Sequence, residues 1–131
     1  MGDLKILLDT FAFLWLANEP EKLSARAAAA IDEDGSDLFF SETSIYEIVI
    51  KHRTGRLPLP NFPRVWIPTQ IEAFQLETVT IQPDAIYRSG ELPPVHNDPF
   101  DRLLAAQALI APFKFITHDP LFRAYGVDTI W

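Results

Sequence analysis

Acidic residues follow two predicted strands and open one predicted helix of this chain. Asp9 ends the run LKILLD, Asp119 ends KFITHD, and Asp98 and Asp101 lie three residues apart in HNDPFDR. Sites in open α/β sheets form beyond the carboxyl ends of the strands, so we expect these carboxylates at one edge of one sheet. Carboxylates that converge repel one another, and a bound cation relieves that repulsion.

The donor types indicate which cation. The chain has no cysteine, and its three histidines, His52, His96 and His118, show no zinc-ligand spacing. Carboxylate oxygens alone favour the hard ions Mg²⁺ and Mn²⁺. Such ions commonly act on phosphates, where they activate water for attack on phosphorus and hold the leaving oxygen.

Each acid also has a purely structural interpretation. Asp9 could cap the helix that follows it, and Asp119, which precedes Pro120, is a good N-cap or turn residue. Position alone leaves both residues evenly divided between capping and ligand roles. Glu47 lies four residues before Lys51, and taken alone its favoured interpretation is a surface ion pair.

One compact basic run, KHRTGR, follows Glu47. Its cations could contact phosphate, or they could simply favour the C-terminal end of a helix dipole, which is the favoured interpretation for any single residue. The candidate phosphate contacts in this run are Lys51, His52, Arg53 and Arg56. The net charge of −7 opposes binding to a phosphate backbone, so a nucleic-acid role needs positive charge supplied locally.

The elements that must position these residues alternate between strands and helices, which predicts an α/β fold with a mostly parallel sheet. Strands are predicted at LKILLD, DLFFS, LETVTIQ, KFITHD and VDTIW. The predicted helices are TFAFLWLANEP, residues 24–32, a segment capped by Thr43 or Ser44, residues 66–74, PDAIYRSGEL and PFDRLLAAQALIA. In the first helix, Phe11, Phe13 and Trp15 are expected in the core rather than in a base-stacking surface.

Length and composition predict one globular domain over residues 1–131, since the chain is 48% hydrophobic and 22% charged. The absence of cysteine fits a reducing cytoplasm. The apolar run LKILLDTFAFLWLA is interrupted by Asp9 and is too short to span a bilayer. We therefore expect a buried strand and helix there, and no membrane association.

Five segments, in this order and spacing, resemble the PIN-domain nucleases and, within them, the VapC-like toxins of bacterial toxin–antitoxin pairs. They are LLDTFAFLWL (7–16), LSARAAAAI (23–31), SETSIYEIVIKHRTGRLPLP (41–60), LPPVHNDPFDRLLAAQA (92–108) and FITHDPLFRAYGVDTIW (115–131). The resemblance is weakest over residues 61–87. It implies the three-layer PIN fold, with helices on both faces of a central sheet, and endonucleolytic cleavage of RNA that depends on Mg²⁺ or Mn²⁺.

The resemblance also implies roles for individual residues. The family's four acids match Asp9 after the first strand, Glu47 on the third helix, Asp101 in DRLLAAQA and Asp119 after the late strand. It implies that all four are catalytic and that the metal lies on the three aspartates, which moves Glu47 from an ion pair to the site. The residues expected to position these acids from outside the set of metal ligands are Thr10, Asp98 and Thr117.

The two neighbouring aspartates, Asp98 and Asp101, have different expected roles. Asp98 is the expected N-cap, Pro99 the first helical residue, and Asp101 the third, from which a carboxylate can reach back toward the cap. Position alone lets either carboxylate turn to a cation. The family pattern puts the metal on Asp101.

Family toxins commonly form homodimers and are held inactive by a small antitoxin, and a pI of about 4.8 suits a basic partner of that kind. Three alternatives remain open: a housekeeping PIN nuclease, a non-catalytic acidic binding module, and a phosphotransfer protein. The last is disfavoured because LLDTFAF has no second acid two residues after Asp9.

Overall fold

The computed structural model describes residues 4–131, so residues 1–3 of the predicted domain lie outside the described range. Five strands form one sheet in the order β3–β2–β1–β4–β5. They are β1 (Lys5–Leu8), β2 (Asp37–Ser41), β3 (Glu77–Val79), β4 (Lys114–Ile116) and β5 (Asp128–Ile130). Every neighbouring pair is parallel, which confirms the predicted α/β class.

Strand β1 lies at the centre of the sheet and contributes to the core on both faces. Side chains alternate along a strand, so Ile6 and Leu8 point to one face and Leu7 to the other. All three are fully buried, the first two in a core with Phe13 and the last in a core with Leu104. Burial on both faces explains why β1 is a continuous apolar run rather than an alternating one.

Helices cover the two faces unequally. The core on the Ile6 face includes side chains from α1 (Thr10–Asn18), α2 (Ala25–Asp32), α3 (Glu42–Arg53) and α4 (Pro63–Ala73). The opposite core is built against α6 (Pro99–Ile110) and a 3₁₀ turn (Pro120–Tyr125), with α5 (Pro83–Glu91) packed on α6. A second 3₁₀ turn, Pro20–Lys22, follows α1. Within the described range, no helix has the length and apolar character needed to cross a membrane.

Two predicted helix starts differ from the structure. Helix α3 is capped by Ser41, whose hydroxyl accepts the Thr43 N–H at 2.9 Å, so the predicted cap at Thr43 or Ser44 is wrong. The strand DLFFS runs directly into the helix, and a pattern with several hydroxyl residues does not specify which one caps. Helix α4 begins at Pro63, earlier than predicted, because proline suits the first turn of a helix.

A buried amide connects three parts of the fold. Gln107, on α6, accepts hydrogen bonds from the hydroxyls of Ser41 at 2.6 Å and Thr43 at 3.0 Å. Its own amide donates to the carbonyl of Thr80 at 3.3 Å. The Gln107 side chain therefore links α6 to the β2–α3 junction and to the segment after β3.

Replacing this amide should destabilise the protein. In Gln107→Leu the volume is nearly kept, but two buried hydroxyls and one carbonyl lose their partner, so the free energy of unfolding should fall by about 3 kcal/mol. Urea denaturation measures it. The matched control is Gln82→Leu, an exposed residue whose replacement should change stability by no more than about 0.5 kcal/mol. Equal effects at the two positions would contradict a structural role for the buried amide.

Candidate active site

The sheet changes its direction of winding between β1 and β4, which is where open α/β sheets form their sites. Asp9 directly follows β1, and Asp119 follows β4 by three residues. The Asp9 N–H donates to the carbonyl of Ile116 at 3.0 Å, which holds the two strand ends together. Helices α3 and α6 pack beside this edge and carry Glu47 and Asp101.

These elements enclose a small acidic pocket of about 110 Å³. The candidate acids that line it are Asp9, Glu47, Asp98, Asp101 and Asp119. Thr10 and Lys51 also contribute to its walls. The predicted convergence of the acids on one edge of the sheet is confirmed.

Three of the aspartates cap helices with one carboxylate oxygen. Oδ1 of Asp9 accepts the Ala12 N–H at 2.6 Å, Oδ1 of Asp98 accepts the Phe100 N–H at 2.9 Å, and Oδ1 of Asp119 accepts the Leu121 N–H at 2.9 Å. A carboxylate has a second oxygen with free lone pairs. Capping and ligation are therefore compatible roles for the same side chain.

Glu47 is buried in the pocket wall, with 3% of its surface exposed. Its Oε1 accepts a hydrogen bond from the Thr10 hydroxyl at 2.6 Å, and its Oε2 forms an ion pair with Lys51. Thr10 has one hydroxyl proton, so the Ser44 hydroxyl, 2.8 Å away, donates to Thr10 in turn. The ion pair expected from spacing exists, but its expected location on the surface is wrong.

The environment disfavours negative charge on two of the acids. Burial raises the pKa of Asp9 to about 6, although hydrogen bonds from Thr117 and the Ala12 N–H oppose the rise. Burial also raises the pKa of Asp101 to about 7, and repulsion from Asp98 adds to this effect. The pocket thus disfavours the ionised form of both acids, mainly because burial removes their carboxylates from water.

Thr117 supports the late strand end. It is buried, and its hydroxyl accepts the Asp119 N–H at 3.1 Å. The Thr117 side chain also lowers the pKa of Asp9, so it influences the acids that follow both strands. The neighbouring His118 is exposed and lies against the rings of Phe11 and Trp15.

His96 is a residue of the site that spacing did not identify. Its Nε2 lies 3.6 Å from Oδ2 of Asp101, and ligand atoms of His96, Asp101 and Asp119 lie within 4.8 Å of one another. Its Nδ1, however, accepts the Asp98 N–H at 3.0 Å, so the neutral ring carries its proton on Nε2. His96 is therefore better placed to donate to Asp101 than to bind a cation. The only trace of this bond in the sequence is that His96 stands two residues before Asp98, the cap of α6.

Arg102 holds the segment that carries His96. Its guanidinium donates to the carbonyls of Ser89, Leu92, Pro93 and His96 over distances of 2.8–3.1 Å. The Tyr125 hydroxyl donates to the His96 carbonyl as well, at 3.3 Å. The fork of the guanidinium thus fixes the loop between α5 and α6, and with it the His96 ring above Asp101.

Of the basic run, Lys51 alone lines the pocket. His52 uses Nδ1 in a hydrogen bond with the Leu57 carbonyl at 3.0 Å. Arg53 is exposed, and exposed Arg56 donates to the Thr54 hydroxyl. The structure does not bring these three side chains to the acids.

The aromatic residues of α1 divide into two groups. Phe13 is fully buried, which confirms the expected core position, and Trp15 is half-buried. Phe11 is 42% exposed and lines the acidic pocket, so its expected place in the core is wrong. It lies on the first turn of α1, beside Asp9, where the helix faces the pocket rather than the sheet.

The raised pKa values predict how stability depends on pH. In the folded protein Asp9 and Asp101 take up protons at higher pH than in the unfolded chain, where the value is about 4. With EDTA present, the Tm should therefore fall as pH rises from about 4 to about 7. Asp101→Asn should flatten this slope, and added Mn²⁺ should raise the Tm most above pH 7, where both groups are ionised. Calorimetric melting at several pH values measures both effects, and a Tm that rises through this window would contradict the assignment.

Weakening the Arg102 fork should loosen the loop without unfolding the protein. Lysine cannot reproduce several fixed donors, so in Arg102→Lys the amide of Asp98 should lose about tenfold or more of its protection from hydrogen exchange. The control is Arg123→Lys, since the exposed Arg123 side chain makes one hydrogen bond within residues 4–131, to the Thr129 hydroxyl. Unchanged protection at Asp98 would show that the Tyr125 bond and the loop's own contacts hold this loop in place without the Arg102 guanidinium.

Comparisons with known proteins found similar proteins that match nearly the whole chain. The PIN domain family model matches residues 6–128. A curated relative, Ribonuclease VapC22 of Mycobacterium tuberculosis, is 29% identical over 130 residues, which cover 96% of this chain and 98% of the relative.

Solved structures share the fold at low sequence identity. VapBC2 from Rickettsia felis, bound to a DNA fragment from its promoter, gives a TM-score of 0.65 at 13% identity and covers 96% of this chain and 97% of that one. FitAB bound to a DNA fragment gives 0.62 at 17% identity, with 95% and 92% covered. VapBC-1 from nontypeable Haemophilus influenzae gives 0.58 at 15% identity, with 96% of each chain covered. Because the family model extends over nearly all of the described residues, this chain belongs to the PIN-domain family.

Proposed function

We propose that this protein is a VapC-type toxin, an endoribonuclease that hydrolyses RNA phosphodiester bonds with Mg²⁺ or Mn²⁺ as cofactor. One observation carries the proposal: carboxylates from four separate elements converge on one pocket at the switch point of the sheet. Membership of the PIN family supports a nuclease. The relative named Ribonuclease VapC22, matched over almost its whole length, supports RNA as the substrate.

The residues present fit a hard divalent cation. Asp9, Asp101 and Asp119 offer oxygen atoms only, and burial, which raises the pKa of the first two, makes their ionised forms costly unless a cation compensates them. These three residues would hold the ion. When bound, it supplies Lewis-acid charge for the attack of water on phosphorus.

The chain's own residues would orient and deprotonate the reactants. Glu47 is fixed by Thr10 on one oxygen and Lys51 on the other, and each oxygen keeps a lone pair for the attacking water. Glu47 therefore accepts the water proton in this mechanism. Lys51, at the pocket wall, offers a positive charge to the phosphate oxygens. Asp98 caps α6 and keeps Asp101 aimed into the pocket.

The proposed toxin is a single PIN domain over residues 1–131 that acts as a cytoplasmic homodimer. Its partner is a small antitoxin with a basic segment, since the chain carries a net charge of −7. The names of the structural neighbours, which are two-component VapBC and FitAB assemblies, support such a partnership.

The two aspartates at the start of α6 provide the sharpest test. Asp101→Asn should lower the rate of RNA cleavage by about 10²–10³-fold, because it removes a charged group that acts on the reacting centre. Asp98→Asn keeps a good N-cap and should cost no more than about tenfold. Cleavage of total RNA with added Mn²⁺, and growth arrest on expression, measure both.

Binding of the metal separates this proposal from a non-catalytic module. Calorimetric titration should detect Mn²⁺ binding to the unsubstituted protein and much weaker binding to Asp101→Asn, while thermal melting shows that the variant stays folded. Cleavage that persists at full rate in Asp101→Asn with EDTA present would refute the proposal. Reversed effects of the two substitutions would refute the metal assignment alone.

A further inference from the structure

Four aromatic rings form a surface cluster that adjoins the acidic pocket. The aromatic cluster consists of Phe11 and Trp15 from α1, His118 after β4, and the C-terminal Trp131. Ring centroids lie 5.0 Å apart for Trp15 and His118, 5.9 Å for His118 and Trp131, and 6.4 Å for Phe11 and His118. Since Phe11 and His118 also line the pocket, the cluster and the acidic site form one continuous surface.

Two rings of the cluster are exposed to solvent, and the other two are half-buried. Phe11 is 42% exposed and His118 is exposed, whereas Trp15 and Trp131, which pack against His118, are half-buried. The ammonium of Lys51 lies 5.5 Å from the centre of the Phe11 ring while it pairs with Glu47. A cation thus lies at the boundary between the aromatic cluster and the acids, where a phosphate that joins two nucleotides would pass.

We propose that the aromatic cluster is a base-stacking subsite for one unpaired nucleotide, next to the phosphodiester held in the acidic pocket. The inference rests on the proposed ribonuclease activity. A stacking surface accepts a base only when it is free of its own helix, so the substrate class is single-stranded or loop RNA. An acidic chain gains little affinity from phosphate contacts, and stacking supplies affinity that does not depend on positive charge.

The test compares binding of short single-stranded RNA of mixed sequence to the full chain, with Ca²⁺ in place of Mg²⁺ and fluorescence anisotropy as readout. Phe11→Leu keeps an apolar side chain but removes the aromatic face, and should weaken binding about tenfold. Phe11→Tyr should restore it. The matched control is Phe62→Leu, an aromatic residue that is 73% exposed and does not line the acidic pocket, and it should bind as the unsubstituted chain does.

Abasic RNA identifies stacking as the cause. Removing the base that stacks should weaken binding to the unsubstituted chain about tenfold and should add little further loss in Phe11→Leu. The Phe11→Leu effect should also keep its size as salt rises, because a phosphate contact fades with salt and a stacked ring does not. Thermal melting of both Phe11 variants verifies that they are folded.

The outcomes distinguish this inference from the proposed activity. Unchanged RNA binding by Phe11→Leu, in a chain that cleaves RNA, overturns the subsite and leaves the nuclease intact. An abasic penalty that is equally large with and without Phe11 also overturns it. An unsubstituted chain that neither binds nor cleaves RNA overturns both proposals.

Discussion

The structure depends on holding like charges together. Five carboxylates share one small pocket, two of them almost fully buried, and each charge raises the free energy of the others. Oriented donors partly compensate this repulsion. Helix N–H groups donate to three of the aspartates, Thr10 and Lys51 contact Glu47, and His96 faces Asp101. These contacts only partly offset burial and repulsion, since the pKa values of Asp9 and Asp101 stay above the ordinary value, with burial as the largest cause. A divalent cation at this pocket, as proposed above, would stabilise the ionised carboxylates.

Helix capping and the site use the same atoms. An N-terminal helix end carries partial positive charge, so an acid that caps it is stabilised and held in a fixed direction. Asp9 and Asp98 each use one oxygen in this way and line the pocket as well. Position alone left the structural and the functional interpretation of these aspartates open, and the geometry shows that the two are compatible in one side chain. A substitution at such a residue changes helix geometry and site charge together, and this is why Asn, which preserves the cap, is the informative replacement.

Features that follow from chain order and apolar pattern could be predicted from the sequence. The parallel sheet follows from alternating strands and helices, and the strand-end positions of Asp9 and Asp119 follow from the sheet. Features that depend on tertiary packing could not. The burial of Glu47 requires α1 and α3 to pack so that Thr10 reaches it, and the exposure of Phe11 depends on which face of α1 meets the pocket. The bond between His96 and the Asp98 N–H depends on a loop that Arg102 shapes from outside.

An acidic protein that acts on RNA, as proposed above, has to bind a negatively charged substrate despite its own net negative charge. In the proposed reaction a phosphate meets the carboxylates of the pocket, so local positive charge would come from a bound cation and from Lys51. Beyond the pocket, Arg53 and Arg56 lie at the surface, and the other basic residues are too few to outweigh the acids. A phosphate backbone alone would be repelled over most of this surface, and more strongly at low salt. Uncharged contacts beside the pocket would add affinity that this repulsion does not reduce, and the exposed rings of Phe11 and His118 line the pocket together with the buried Phe122.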